Sequence, residues 1–169
     1  MEPRPAGKLP LEFRVVEASS EEPDAAAREL EAPSQLGRGW QTGRFCAYPQ
    51  TLVLELLAPA KVSSLQLLSH QCKIASRVDI FVAFGDGSPA PQPAALRFRK
   101  IGYFLLSSNE QSQFQSRELK TVFLDAPAQF IKLLFHAPHP NALNVFAQVG
   151  VVSLSLFTGR YDEPAPPTP

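Results

Sequence analysis

The sequence predicts an all-β domain, an antiparallel two-sheet β-sandwich of the jelly-roll type. Apolar and polar residues alternate over short runs along most of the chain, and runs with a helical period are almost absent. Turn residues separate these runs, which begin roughly every 10 to 20 residues, a spacing typical of a two-sheet sandwich. Eight or so such runs favour a jelly roll over a ribbon or a solenoid.

The stretch from residue 51 to residue 84 carries the clearest alternation. It predicts three consecutive antiparallel strands, separated by turns at residues 57–61 and 70–76. One set of side chains in each strand is expected to face a core. These are Leu52, Leu54 and Leu56 in the first strand, Leu65 and Leu67 in the second, and Val78, Ile80 and Val82 in the third.

Further strands are predicted before and after this stretch. They cover residues 11–15, 98–106 and 145–157, together with a hairpin whose arms, 119–124 and 130–136, are joined across Asp125 to Ala128. Proline-rich segments flank the predicted domain of residues 11–158: residues 1–10 are expected to form a flexible arm, and residues 159–169 the start of a linker.

The charge balance limits the classes of partner. Lysine plus arginine and aspartate plus glutamate each number 16, so the formal net charge is zero, which argues against a nucleic-acid domain. No apolar run is long enough to span a membrane, and residues 1–13 do not resemble a signal peptide. The expected location is therefore cytoplasmic, with Cys46 and Cys72 as free thiols.

Alternating strand directions sort the predicted loops between two ends of the sandwich. One end receives the loops around residues 44–50, 70–76, 107–116 and 137–144, which are rich in hydrogen-bonding side chains. Because rigid sandwiches often bind through their loops, this end is the predicted protein-contact surface. Its candidate residues are Arg44, His70, Gln71, Lys73, Asn109, His136, His139, Asn141 and Asn144. A purely structural role for these turn-forming residues is the alternative.

Other chemistry has weaker support. Arg97, Arg99 and Lys100 form a small basic edge that could meet an acidic partner such as a tubulin tail, or protect a strand edge from unwanted pairing. Trp40 lies among glycines and is expected to be a packing residue rather than a ligand platform. The histidine and cysteine spacings do not match a zinc site, and nucleotide-binding and nucleophile motifs are missing. No metal, cofactor or catalytic residue is predicted.

Several stretches together resemble a known family. They are GWQTGRFCAYPQ, LQLLSHQCKIASRVDIFV, RFRKIGYFLLSSNE and the long run from SRELK to SLSL. Their order and spacing over residues 11–157 are similar to the N-terminal domain of the centrosomal protein of 104 kDa family. The chain differs from that family in two predicted loops, at residues 85–95 and 24–32.

The resemblance implies a jelly roll of galactose-binding-like, or discoidin-like, type. It also implies a non-catalytic protein-interaction module of a scaffold at centrioles, centrosomes and ciliary tips, which is associated with microtubule plus ends and supports cilium assembly. The expected partners are ciliary or centriolar proteins, with tubulin a further candidate, and neither nucleic acid nor membrane is expected. A module that binds a small ligand, either carbohydrate or calcium, is the alternative.

Overall fold

A computed structural model of the chain describes residues 8–32 and 38–159. Most of the predicted arm and linker, residues 1–7 and 160–169, therefore lies outside the described residues. The strands are β1 (Leu9–Leu11), β2 (Phe13–Ala18), β3 (Trp40–Gln41), β4 (Gln50–Ser69), β5 (Arg77–Ala83), β6 (Arg99–Leu105), β7 (Leu119–Phe135) and β8 (Gly150–Thr158). In the described part of the chain, helical structure is limited to short 3-10 segments at Ala27–Leu30, Pro93–Ala95 and Glu110–Ser112.

The strands form two layers, and every pairing between them is antiparallel. In the first layer the order is β2, the first half of β4, the second half of β7, β5 and β6. In the second layer β8 lies between β4 and the pair of short strands β1 and β3, while the first half of β7 pairs with the other side of β4. The predicted all-β, antiparallel sandwich is confirmed.

The long strands β4 and β7 belong to both layers, and this corrects two predictions. The turn expected at residues 57–61 and the hairpin expected across Asp125 to Ala128 are wrong, because β4 and β7 each continue through these positions. The two strands pair with each other on both sides of a bend. Residues 56–59 of β4 oppose only Gln129 between the two paired segments, and this bulge bends the ribbon from one layer into the other.

The bend returns β4 to the end of the sandwich where it began. Gln50, at its start, donates a hydrogen bond to a carbonyl in the loop of residues 42–49. His70, which follows the end of β4, donates its backbone N–H to the Gly150 carbonyl. The residue before Gly150, Val149, accepts a hydrogen bond from the backbone of Thr42 in the same loop. A straight strand of this length would keep the two ends far apart. The bend therefore acts as a turn without interrupting the strand.

The core lies between the two layers and contains the side chains that the alternation predicted. Leu52, Leu54 and Leu56 from the first layer and Leu65 and Leu67 from the second are all at most 2% exposed. Each such leucine contributes about 1.5–3 kcal/mol through burial.

Trp40 closes the core as predicted. It is fully buried, its ring lies 5.1 Å from that of Phe135, and its indole N–H donates to the Ser20 carbonyl at 2.9 Å. A buried, hydrogen-bonded indole is a packing residue and not a ligand platform.

Candidate functional site

Four loops meet at one end of the sandwich, as the sorting of the predicted loops anticipated. We call this region the loop end; it comprises residues 42–49, 70–76, 106–118 and 136–149. Direct hydrogen bonds connect the loops to one another: Asn109 donates to the Gln71 carbonyl at 3.0 Å and Asn141 to the Cys72 carbonyl at 2.8 Å. The Tyr48 hydroxyl donates to a carbonyl of the fourth loop at 2.6 Å. The loop end is therefore one continuous surface.

His70 organises its own loop. Its Nδ1 accepts the backbone N–H groups of Cys72 at 3.2 Å and Lys73 at 3.1 Å, so the ring is neutral, with its proton on Nε2. Burial, reinforced by the positive charges of Lys73 and Arg117, lowers the pKa of His70 to about 4. The ring also packs against Gly150, where an added Cβ would lie 3.1 Å from the His70 Cβ. His70 therefore stabilises the backbone of its own loop rather than forming part of the contact surface.

A network of charged and amide side chains lies beneath the loops. The Lys73 ammonium donates to Gln41 at 2.7 Å and to Gln148 at 2.9 Å. The Gln148 amide, itself almost fully buried, donates to Glu22 at 2.8 Å, and Glu22 also accepts Arg44 at 2.9 Å. Lys73 and Arg44 are thus partnered within the domain. The sequence analysis missed Gln148, because a glutamine preceding a strand carries no distinguishing pattern.

The three predicted asparagines shape the loop backbone. Asn109 has a left-handed backbone, and its side-chain amide donates to the Ser116 carbonyl while its oxygen accepts the Ser112 hydroxyl. The side-chain oxygen of Asn141 accepts the backbone N–H groups of Leu143 and Asn144 in the turn that follows it. Asn144 is buried, and its amide exchanges two hydrogen bonds with the backbone of Gln148. All three make the local side-chain to backbone bonds typical of such residues in turns.

The remaining predicted residues of this surface are also bonded within the domain. The Gln71 side chain accepts Arg117 at 3.0 Å. His139 donates from Nε2 to the Leu106 carbonyl at 2.8 Å. His136 is the exception in position, because it projects from the outer face of the first layer, where its Nε2 donates to Asp79 at 2.9 Å.

An exposed apolar patch at the loop end was not predicted. Phe45, Leu143 and Val145 are 71%, 61% and 65% exposed, and Phe45 packs edge to face on Phe146 with ring centres 5.8 Å apart. We call these four residues the apolar patch. The Arg44 guanidinium lies 4.4 Å from the centre of the Phe146 ring. Phe45 has a φ of 53°, an uncommon conformation for a bulky residue.

The sequence analysis missed the patch for a specific reason. Leu143 and Val145 lie on either side of the polar Asn144, and the pattern assigned Val145 to the last strand, whereas β8 begins at Gly150. A loop that presents its alternating apolar residues to solvent cannot be distinguished from a half-buried strand by period alone.

The basic edge lies away from the loop end. Arg99 and Lys100 begin β6, which pairs only with β5 and so forms an edge of the first layer. Lys100 lies 3.5 Å from Asp79, whereas Arg97 and Arg99 are exposed and have no ion-pair partner among the described residues. Arg97 also lines an open cavity of about 440 Å³ beside Phe84 and Asp86, at the end of the sandwich opposite the loop end.

The thiols and the metal-binding residue types do not assemble into a reactive centre in the described part of the chain. No group of three or more His, Cys, Asp or Glu residues could hold a metal ion within residues 8–32 and 38–159. Both cysteines are free, and burial, opposed by the charge of Lys73, raises the pKa of the Cys72 thiol. Its Sγ lies 3.7 Å from the His70 Nδ1, which is already occupied by two backbone donors.

Comparison with solved structures defines the class of this fold. A galactose-bound family 32 carbohydrate-binding module of C. perfringens NanJ superimposes with a TM-score of 0.63 at 20% identity, covering 87% of this chain and 94% of that module. An XRCC1 structure, solved bound to the DNA polymerase β catalytic domain, gives 0.66 at 15% identity, covering 91% and 99%. Such low identities establish the fold alone, which is a galactose-binding-like jelly roll.

Sequence relatives identify the family. The family model of the centrosomal protein CEP104, N-terminal domain, matches residues 39–158. The centrosomal proteins of 104 kDa from Homo sapiens and Mus musculus are each 38% identical over 144 residues, covering 85% of this chain and 16% of the relative. The chain belongs to this family of centrosomal proteins, which confirms the predicted family and its location at the centrosome and cytoskeleton. It spans about one sixth of the length of these relatives.

None of the helical segments in the described residues is long and apolar enough to cross a membrane.

Proposed function

We propose that this jelly roll is a non-catalytic protein-interaction module of a centriolar and ciliary-tip scaffold, and that the apolar patch is its contact surface. The proposed role of the scaffold is to support cilium assembly on microtubules. One observation carries the proposal: large apolar side chains are exposed on loops that internal hydrogen bonds hold in place. Exposed apolar groups on a rigid frame lose little conformational entropy on binding, so they suit a protein contact.

The charges around the patch indicate the chemistry of the partner. Arg44, the nearest cation, is neutralised by Glu22 and stacks on Phe146. Lys73 is partly buried, with its ammonium between two amide oxygens. With these charges matched internally, the patch presents an uncharged, apolar surface. The proposed partner segment is therefore apolar and comes from another centriolar or ciliary protein.

The polar residues of the loop end support this surface rather than contact the partner. His70, Asn109, Asn141 and Asn144 fix loop backbones through the hydrogen bonds described above. Substituting them is expected to weaken binding only through loss of loop structure, whereas patch substitutions should weaken binding while the fold stays intact.

A matched pair of double variants tests the contact surface. Phe45→Ser with Leu143→Ser alters the patch, and Phe123→Ser with Leu57→Ser removes the same residue types elsewhere, at exposures of 76% and 56%. Proximity labelling in ciliated cells would nominate partners, and purified pairs would then be measured by calorimetry. We expect the patch variant to lose at least about tenfold in affinity for a direct partner and the control to lose less than twofold. Equal affinities for both variants would overturn the proposal.

Tubulin is a further proposed partner, because the exposed Arg97 and Arg99 suit the acidic tubulin tails. Co-sedimentation of the chain with stabilised microtubules, before and after proteolytic removal of those tails, tests this contact. We expect binding that depends on the tails. Equal sedimentation with both kinds of microtubule, or none with either, would contradict a direct contact through the basic edge.

Small-ligand binding is a second candidate function, supported by the cavity at the opposite end. An exposed Phe84 stands there beside the polar groups of Asp86, Ser88 and Arg97, an arrangement that suits a sugar. Titration with galactose, which the NanJ module binds in its structure, should produce heat that is lost in Phe84→Ala. A flat titration with the unaltered chain would exclude galactose as the ligand.

A further inference from the structure

The outer face of the first layer carries a concentration of positive charge. Arg77, Lys132 and Lys100 project from β5, β7 and β6, three neighbouring strands, and Arg97 and Arg99 extend the charge to the open edge. We call these five residues the basic face. The outward direction of Arg77 and Lys132 follows from the alternation, because the residues beside them on β5 and β7 are buried in the core, and Lys100 shares their face because it opposes Phe81. Arg99 opposes the core residue Val82, so Arg99 and Arg97 add exposed charge at the edge of the layer and not on its outer face.

Little negative charge offsets the basic face. Asp79 lies among Arg77, Lys100 and His136 and is only 6% exposed. Its carboxylate therefore pairs with these three side chains and presents little negative charge at the surface. Burial alone would raise the pKa of Asp79, but hydrogen bonds from His136 and Arg77 and the charges of Arg77 and Lys100 outweigh it and lower this pKa. The exposed Asp86 lines the same cavity as Arg97 at the edge.

The charge is segregated, because the whole chain has a formal net charge of zero. At the opposite edge of the same sheet, Glu17 and Glu55 occupy the outer face of β2 and β4, and Arg14 bridges to Glu55 at 3.2 Å. Exposed glutamates continue along residues 12–31. The first layer is therefore polarised, with an acidic edge at β2 and a basic edge at β6.

Protection of a free edge does not account for this pattern. Charges that protect an edge lie on the edge strand, and the bulge in β6 at Ile101 already disturbs that edge. Arg77 and Lys132, however, lie on β5 and β7, which are paired on both sides in this layer. The basic face extends inward across the sheet, as a binding surface would.

Aromatic rings accompany the cations. The Arg77 guanidinium stacks 3.9 Å from the centre of the Tyr103 ring, and Lys132 lies 4.6 Å from the ring centres of both Phe81 and Phe98. These contacts hold the long side chains against the sheet, which reduces the conformational entropy they would lose on binding. Tyr103, which is 55% exposed, and its neighbour Leu105 at 57% add apolar area beside the charges.

We propose that the basic face binds an acidic peptide segment in extended conformation alongside β6. The cations run the length of this strand, from Arg97 before its start to Arg77, which opposes Leu105 at its end. On either side of the bulge at Ile101, the open edge of β6 also offers backbone groups that an extended peptide can pair with. This inference rests on the proposed tubulin contact in that both use Arg97 and Arg99 to bind an acidic chain, and it extends that contact across β5 and β7 and along the edge of β6. It is independent of the apolar patch, which is a different surface with different chemistry.

The test uses the 169-residue chain and a fluorescently labelled synthetic peptide of glutamate and glycine, long enough to follow β6. Fluorescence anisotropy gives the affinity, which should weaken as salt is raised because exposed charges are screened. Amide chemical shifts from NMR locate the peptide, and the largest changes are expected in β6 and at the start of β5. The same peptide with glutamine in place of glutamate is expected not to bind.

Charge-reversal variants separate a specific face from overall charge. Arg97→Glu with Arg99→Glu alters two exposed side chains without ion-pair partners in the described residues, so the fold should persist. Arg28→Glu with Arg38→Glu changes the net charge equally at exposed sites outside the basic face. We expect the first pair to weaken peptide binding by at least about tenfold and the second by less than twofold.

Four results would overturn the inference. They are equal losses in the two charge-reversed pairs, equal binding of the glutamine peptide, absence of peptide binding at low salt, and tighter binding of single-stranded oligothymidine than of the acidic peptide. The last would assign the face to nucleic acid. Because the apolar-patch variants leave the basic face intact, failure of this inference is distinguishable from failure of the proposed contact surface.

Discussion

Protonation of His70 is expected to destabilise the domain in mildly acidic solution. Its Nδ1 accepts two backbone N–H groups, and a proton on that nitrogen would break both hydrogen bonds. The folded state holds the pKa of His70 at about 4, against an ordinary value of 6.5. Between these two values the unfolded chain binds the proton and the folded chain does not. Stability is therefore fully present above pH 6.5 and declines as the pH falls towards 4.

The size of the effect follows from the pKa difference. The full difference corresponds to about 3 kcal/mol, and at pH 4.5 about three quarters of it would be lost. Because the ring is partly exposed, solvent screening reduces the expected loss to about 2 kcal/mol.

Urea unfolding at pH 7 and at pH 4.5 measures this loss. His70→Asn serves as the matched variant, because its amide oxygen can accept the same backbone N–H groups and does not titrate. Other groups also titrate in this range, so the relevant quantity is the difference between the two proteins. We expect the variant to lose about 2 kcal/mol less than the wild type. Parallel pH profiles, or an NMR titration that places the pKa of His70 near 6.5, would refute the reasoning.

Three further predictions concern stability and are checked by chemical denaturation. Gly39→Ala is expected to lower the free energy of unfolding by more than about 3 kcal/mol, because φ is +67° and the new Cβ would lie 2.0 Å from a carbonyl oxygen of β8. Gly102→Ala is the matched variant. Its new Cβ would meet open space, so it should cost no more than about 1 kcal/mol. Leu54→Ala should cost about 2–5 kcal/mol in the core, against at most about 0.5 kcal/mol for Leu57→Ala at the exposed bend. Asp79→Asn should cost about 1–3 kcal/mol at pH 7 and remove the loss of stability that occurs in the wild type as the pH falls through the depressed pKa, below 3.8. Equal costs within either matched pair, or an unchanged acid limb in Asp79→Asn, would contradict these expectations.

The sequence predicts the faces of the strands well, because the two-residue period depends only on which side chains reach the core. Leu52, Leu65 and Ile80 are buried as that period requires. The strand boundaries were harder to predict, since a bend within a strand and a turn between strands use the same residues. Residues 57–59 and the segment around Pro127 contain the prolines and alanines of a turn, yet long-range pairing between β4 and β7 carries both strands through. Whether such residues form a bend within a strand or a turn between strands depends on pairing with a strand that is distant in sequence.

The sorting of the loops was correct despite those errors. A bend that carries a strand from one layer into the other reverses its direction along the sandwich, just as a turn would. Since both β4 and β7 bend in this way, the alternation between the two ends is preserved. The composition of the loops then placed His70, Asn109 and Asn141 at one end, where the structure shows them in contact with one another's loops.

The chemical role of these residues could not be read from their type. A histidine in a loop can contact a partner or accept backbone hydrogen bonds, and the choice depends on where N–H groups of other residues point. In this fold the backbone of residues 72 and 73 turns towards the His70 ring and occupies its Nδ1, while burial and the charges of Lys73 and Arg117 lower the pKa of the ring. Phe45, by contrast, is apolar and was not a candidate, and no local pattern specified either its left-handed backbone or its exposure.

The two proposed surfaces differ in position as well as in chemistry. Phe45 lies at the loop end, whereas Arg97 lines a cavity whose neighbouring Gly85 bonds to Gln129 at the bend of β7, towards the opposite end. An apolar contact at the first surface weakens little with salt, while an acidic peptide at the second is screened by it. One domain could therefore hold two partners at once without competition between them. The proposed scaffold role would use this property, because its two contacts would differ in both position and salt dependence.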